Sequence, residues 1–235
     1  MKKFTYLLLC LGLILNSCSD DDQIIDNTPL TPKLYRITQI VTPGVDGSAT
    51  TEGYHEYEYG TNGFVSKIKM SGGGYHDFFY NSNDEIIRIS FNGSNGNTYD
   101  KNYTYANGLI QSETYSSNGN TTTYEYDAND RLERKITSLN MTTYDYDTNN
   151  NVIRTYYDNQ FGFDYQYDDK KNPSYDIFPV AYRKAKSISR NNTIARTDGV
   201  DDRIKTFQYG PNDYPVSYLS VRFGVYNDEH FFTYY

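Results

Sequence analysis

The sequence predicts an all-β fold: an antiparallel meander of about eight hairpins, its sheet curled or two-layered, with one short helix or irregular insert near 179–192. Three observations predict it. An aromatic-x-tyrosine pair recurs along the chain, and each pair is followed by a cluster of Asn, Asp and Gly. Beyond each cluster the sequence alternates again, the period-2 signature of a half-buried strand. Hydrophobic residues make up 37 % of the 235 positions, and aromatics alone supply 17 %, with 27 tyrosines. A chain this poor in aliphatics must build its interior from rings, each of which buries a large area and keeps a polar handle.

The first element in chain order is a leader. Lys2 and Lys3 precede the apolar run Leu7–Leu15, which is too short to span a bilayer and has the size of a secretory h-region. Residues 1–17 are therefore expected to be removed. Leu15-Asn16-Ser17-Cys18 resembles the bacterial lipobox, and that resemblance implies acylation of Cys18 after cleavage before it. Several acyl chains on one residue anchor a protein stably without a transmembrane helix. Ser19-Asp20-Asp21-Asp22 resembles the surface-export signal of some Gram-negative lipoproteins, which implies the outward face of the outer membrane rather than its periplasmic face. Residues 18–33, with Pro29 and Pro32, read as a flexible acidic tether. With Cys10 gone, Cys18 is the one cysteine left, so no disulfide or thiolate site is expected.

Residues 34–235 read as a single repeat domain. Leu34–Ile40 is an opening strand. The pairs then follow as Tyr57/Tyr59, Phe78/Tyr80, Tyr103/Tyr105, Tyr124/Tyr126, Tyr144/Tyr146, Tyr165/Tyr167, Phe207/Tyr209 and Phe232/Tyr234. Their second members are 21, 25, 21, 20, 21, 42 and 25 residues apart. The interval of 42 reads as two units, with one repeat degenerate or replaced near Ala185–Asn192. Turns such as Asn81-Ser82-Asn83-Asp84 and Asp127-Ala128-Asn129-Asp130 suit hairpin corners, because Asn and Asp bond back to their own backbone and tolerate positive φ. The aromatic face should also carry Ile68, Leu132 and Ile136, and the opposite face Glu56, Glu58, Lys67, Lys69 and Glu125. Val180–Lys186 can form a short helix after Pro179; its cations Arg183, Lys184, Lys186 and Arg190 read as a solvated crossover, with a docking patch for an anionic partner as the alternative.

Tyr124-Glu125-Tyr126-Asp127-Ala128-Asn129-Asp130-Arg131-Leu132 resembles the YD repeat of Rhs-type proteins, roughly Tyr-x-Tyr-Asp-x-Asn-Gly-Arg-Leu, and Tyr144–Val152 is a second copy. Together with the lipobox, this resembles small bacterial lipoproteins built from such repeats. The resemblance implies a fold and no activity.

A search for chemistry is sparse. The formal charge of −8 has the wrong sign for a nucleic-acid partner. There is no Gly-x-Ser-x-Gly elbow, and His55, His76 and His230 are the available imidazole bases. His55 and His76 occupy equivalent repeat positions, where stacked surface histidines are a better reading than a metal site. Asp145-x-Asp147-x-Asn149 imitates the start of a calcium loop but has Asn150 and Tyr156 where Gly and Glu are required. No catalytic residue, cofactor or metal is expected. The expectation is a non-enzymatic, membrane-anchored protein with a binding or structural role and a glycan or protein ligand, its oligomeric state open. Two alternatives stand beside it: an assembly component pairing through an edge strand at Leu34–Thr42 or Phe231–Tyr235, and an enzyme acting on extracellular glycans or peptides.

Overall fold

Alternation in an extended chain sends both members of an aromatic-x-tyrosine pair to one side of a sheet. The structure, a computed structural model, describes residues 32–42, 51–222 and 226–235. The expected leader, Cys18 and the tether up to residue 31 lie outside the described residues. The strands are β1 (Leu34–Thr42), β2 (Thr51–Tyr59), β3 (Val65–Met70), β4 (Tyr75–Tyr80), β5 (Ile86–Asn92) and β6 (Thr98–Ala106). Then come β7 (Leu109–Tyr115), β8 (Thr121–Tyr126), β9 (Leu132–Ile136), β10 (Met141–Tyr146), β11 (Val152–Tyr157) and β12 (Gln160–Lys171). A helix, α1 (Val180–Ala185), precedes β13 (Asn191–Thr197), β14 (Arg203–Tyr209), β15 (Pro215–Arg222) and β16 (Tyr226–Tyr234). All neighbours pair antiparallel, and β1 pairs with β2 on one side and β16 on the other, so the meander curls into a closed barrel. That closure removes the free edges an edge-strand partner would need: Leu34–Thr42 and Phe231–Tyr234 are spent on each other.

The corners form as their chemistry dictates. Asn81 Oδ1 accepts from the backbone N–H of Asn83 and Glu85 at 2.9 and 3.0 Å, and Asp127 Oδ1 accepts from Asn129 and Arg131 at 2.8 and 2.9 Å. Asp84, Asp130, Asn150 and Asp213 hold φ between 57° and 63°, the left-handed corner position that short polar side chains tolerate. Just past each corner the register shifts, as at Glu58/Tyr59, Phe79/Tyr80 and Glu125/Tyr126. Such a bulge sets an aliphatic residue inward, opposite the second tyrosine, and puts the rest of the strand one step out of phase. The expected inward position of Ile136 is corrected for this reason: it faces out opposite Thr123, and Lys135 faces in opposite Tyr124.

The inward tyrosines stitch each hairpin to the one before. Tyr59, Tyr80, Tyr105, Tyr126, Tyr146, Tyr167 and Tyr234 donate their hydroxyls to the carbonyls of Leu34, Val65, Ile86, Ile110, Leu132, Val152 and Pro215 at 2.5–2.9 Å. Leu34 lies opposite Tyr234 as Val65 lies opposite Tyr59, so β1 completes the eighth hairpin from the other end of the chain. Burial raises all seven phenols above their ordinary pKa, so they remain protonated donors.

The interval of 42 residues has a different cause from the one expected. No unit is lost. The sixth hairpin, β12 and β13, carries residues 172–190 where its turn should be, and that insert enters the barrel. Ile177, Phe178, Ala181 and Ala185 are buried among Val65, Ile86, Ile110 and Leu132, and Val65 N–H donates to the Ile177 carbonyl at 3.1 Å. The segment expected as a solvated crossover is thus the barrel's plug. Tyr209 lacks the usual carbonyl because the sixth corner is displaced, and its hydroxyl donates to the Asp168 carboxylate instead.

Tyr126→Phe should cost about 1 kcal/mol in urea unfolding, the net value of one such bond. Tyr156→Phe removes an exposed hydroxyl bonded to Asp145 at 3.0 Å and should stay within about 0.5 kcal/mol of wild type. Equal losses at the two positions would contradict the role given to the inward hydroxyls.

Candidate functional site

The lumen is filled unevenly. Towards β4–β8 the barrel turns large side chains inward: Phe78, Ile89, Tyr103 and Tyr124 are buried there. The insert leans on them, with Phe178 5.7 Å from Phe78 and Tyr182 6.1 Å from Tyr103, ring centre to ring centre. Towards β10–β13 the inward set alternates Tyr144, Tyr157, Tyr165 and Tyr167 with Thr142, Thr155 and Thr193, and the insert does not fill the space before them. The result is a chamber of about 470 Å³ lined by Lys135, Thr142, Tyr144, Val152, Thr155, Tyr157, Tyr165, Tyr167 and Thr193, with Asn172 and residues 185–189 of the insert opposite. A second cavity of about 200 Å³ adjoins it across Tyr165 and Thr193, lined further by Ala195, Arg196, Arg203 and Lys205. Tyr157 faces inward at the end away from the plug and is 40 % exposed, so water reaches the chamber from that end.

Lys186 pins the plug. Its ammonium donates to the Glu113 carboxylate of β7 and to the Tyr124 hydroxyl at 2.7 Å, and lies 5.2–5.7 Å from the ring centres of Tyr103, Tyr124 and Tyr182. Burial pushes the ammonium below its ordinary value. Burial would raise Glu113, yet the neighbouring ammonium outweighs it and holds the carboxyl below the usual range. On the insert's other side, Asn172 Nδ2 donates to the Ser189 carbonyl at 2.8 Å and Ser189 Oγ to the Tyr167 hydroxyl at 3.1 Å.

Of the cations expected to cluster on the insert, Arg183, Lys184 and Arg190 share the lining of one cavity of about 180 Å³, and Lys186 departs from them. Lys186 turns into the lumen, Arg183 pairs with Asp176 at 3.1 Å, and Lys184 with Asp130 at 3.4 Å. Asp147 spends its carboxylate on its own corner, accepting from Asn149, Asn151 N–H and Asn151 Nδ2 at 2.8–3.0 Å, so the calcium-like spacing is a hairpin turn. His55, His76 and His230 fall on the tyrosine phase of their strands, where His55 is exposed and His76 and His230 are half-buried. No group of His, Cys, Asp and Glu suited to a metal occurs among the described residues. Of the repeat positions, Tyr144, Tyr165 and Tyr167 line the chamber, whereas Tyr57, Phe78, Tyr103 and Tyr124 pack the filled side. Sequence reading found those rings but missed Lys135, Thr155, Thr193, Arg196, Arg203 and Lys205. The phase beyond each bulge would have revealed their direction.

Around β1–β12 the outer face is charged, whereas on β14 and β15 Ile204, Leu219 and Val221 face outward together. Arg36–Glu56, Lys67–Asp77, Arg88–Asp100, Glu125–Arg134 and Arg154–Asp164 form ion pairs at 2.5–3.7 Å across neighbouring strands, and Glu58 pairs with Lys69. The rings that do face out, such as Phe79, Phe161 and Phe231, stand apart on β4, β12 and β16. Among the described residues no helix is long and apolar enough to cross a membrane.

Residues 103–140, the greater part of the third and fourth hairpins, match the family model of the RHS Repeat, which bears out the repeat resemblance. No curated protein matches the chain. Among solved structures, it is similar to a porin-like protein from Bacteroides uniformis ATCC 8492, at 10 % identity and a TM-score of 0.44, over 86 % of this chain and 98 % of that one. It is also similar to a chain of the Photorhabdus luminescens Tc holotoxin pore, at 16 % identity and a TM-score of 0.33, covering 75 % of this chain but 9 % of that one.

Removing one partner of a buried ion pair costs about 3–5 kcal/mol, whereas replacing both by apolar groups is close to neutral. Lys186→Met should therefore destabilise by about that much, and Lys186→Met with Glu113→Leu should recover most of it in urea unfolding. An additive double variant would remove the pair from its pinning role.

A pH dependence follows from His230, stacked on Tyr218 at 4.2 Å. Burial and then Lys205 push its imidazole from 6.5 down to about 4, against the pull of Asp228. The folded chain stays neutral where the unfolded chain binds a proton, so this contribution is complete above pH 6.5 and is lost as pH falls towards about 4. His230→Phe should flatten the decline of melting temperature across that window; an unchanged slope would contradict it.

Proposed function

We propose that this chain is a non-enzymatic binding protein of the bacterial envelope, held at the outer membrane by lipid on Cys18 and facing outward. Its barrel stands in water and takes a small saccharide into the luminal chamber. The observation that carries this reading is the hollow side of the lumen, where hydroxyls of tyrosine and threonine, with Lys135 and Lys186, line about 470 Å³. That size falls in the range of small-molecule sites. Ring faces suit the apolar faces of a sugar, and hydroxyls suit its polar edge. The charged outer face around β1–β12 supports a barrel in water, because a membrane barrel carries an outward apolar band roughly 25 Å tall. The anchor rests on Leu15-Asn16-Ser17-Cys18 and the outward face on Ser19-Asp20-Asp21-Asp22.

Two measurements test the reading. Expressed in a Gram-negative host, the full chain should incorporate labelled palmitate and fractionate with outer membrane, and Cys18→Ala should do neither; label on the Cys18→Ala chain would overturn the anchor. In detergent, a thermal-shift screen against mono- and disaccharides should find ligands that raise the melting temperature by several degrees. Thr155→Phe, which fills the chamber, should abolish the shift while the variant still unfolds cooperatively. A shift that survives Thr155→Phe would place binding elsewhere.

A further inference from the structure

The cavity beside the chamber is unusual in its charge. Arg196 lies opposite Arg203 across β13 and β14, and Arg203 lies opposite Arg222 across β14 and β15, all on the inward phase of their strands, with side chains 29 %, 40 % and 47 % exposed. Like charges directly opposed on neighbouring strands destabilise a sheet. Lys205 adds a fourth cation two residues along the same face. Asp201 is shared among the three arginines, at 2.9 Å from Arg196, 3.9 Å from Arg203 and in contact with Arg222. Among the described residues Lys205 has no carboxylate within ion-pair distance; its ammonium sits 4.9 Å over the ring of Tyr218. The Nε atoms of Arg196 and Arg203 are buried and make no hydrogen bond. Composition does not explain this concentration, since acidic residues outnumber Lys and Arg by 30 to 22.

We infer that Arg196, Arg203 and Lys205 form an anion seat, and that the ligand of the chamber is an acidic saccharide whose carboxylate or sulfate enters this cavity. The inference rests on the saccharide reading above for the ring, and on the cations alone for the charge. Planar guanidinium groups match carboxylate and sulfate oxygens in a fixed fork, and an anion between the opposed strands relieves their repulsion. Tyr165 and Thr193 line both cavities, so one ligand can place its ring in the larger and its charge in the smaller. Burial, then Arg203 and Arg196, push the Lys205 ammonium below its ordinary value, which is the crowding an anion would reverse.

The test uses the full chain in detergent with three probes: sodium sulfate, D-glucuronate and D-glucose. Glucuronate should bind at least tenfold more tightly than glucose in calorimetry, weaken as sodium chloride is raised, and be displaced by sulfate. Lys205→Met should lose that tenfold preference and, freed of one like charge, melt at a higher temperature than wild type without ligand. Arg203→Gln should lose the preference too. If sulfate stabilises wild type but not Lys205→Met while neither sugar binds, the seat stands and the saccharide reading falls. If both sugars bind equally and Lys205→Met changes nothing, the chamber stands and the seat is overturned. A lower melting temperature for Lys205→Met together with no sulfate effect also overturns it.

Discussion

The hydrogen bond from the second tyrosine of each pair to a carbonyl of the preceding hairpin is the constraint on which the barrel depends. It acts between units rather than within them, so it sets how one hairpin follows the next. Its acceptor is the residue just past the corner, from Leu34 round to Pro215. A buried carbonyl left without a donor would be costly, and a phenol supplies the donor while its ring fills the space beneath. The bulge after each corner belongs to the same device, because it turns the acceptor's side chain inward opposite the second tyrosine of its own hairpin, while its carbonyl accepts from the tyrosine of the next. A chain with few aliphatic residues thereby obtains a regular interior. The same geometry recruits β1 as the partner of β16, and the barrel closes without a special joint.

The one departure from this rule creates the site. With the sixth corner replaced by residues 172–190, Tyr209 loses its carbonyl and turns to Asp168, and the displaced chain becomes a plug. The plug is held on one side by packing and by the Lys186–Glu113 pair, within the ring cage of Tyr103, Tyr124 and Tyr182. On the other side Tyr144, Tyr157, Tyr165 and Tyr167 alternate with Thr142, Thr155 and Thr193, the insert stops short of them, and a chamber remains. Charge is sorted by the same wall. Paired charges of both signs occupy the outer face around β1–β12, where cross-strand neighbours satisfy one another. The cations of β13–β15 lie on the inward phase of their strands, with Asp201 divided among three of them.

Most of the fold was legible in the sequence. Period-2 alternation, corner residues and spacing are local properties, and they located the eight aromatic pairs, the opening strand and the short helix after Pro179. The direction of Ile136 and Lys135 was not legible, because one extra residue at a bulge reverses the phase and leaves little trace in composition. The site was legible only in part. Tyr144, Tyr165 and Tyr167 were named as repeat rings, with nothing to separate them from the rings that merely pack.

The sequence by itself determined the hairpins, their order and the aromatic character of the interior, since each depends on residues a few positions apart. The tertiary structure alone decided that the sheet closes, that the extra residues after β12 plug it, and which inward side chains share a cavity. Those outcomes depend on contacts such as Lys186 with Glu113, 73 residues apart. No local pattern records a distance across a closed barrel.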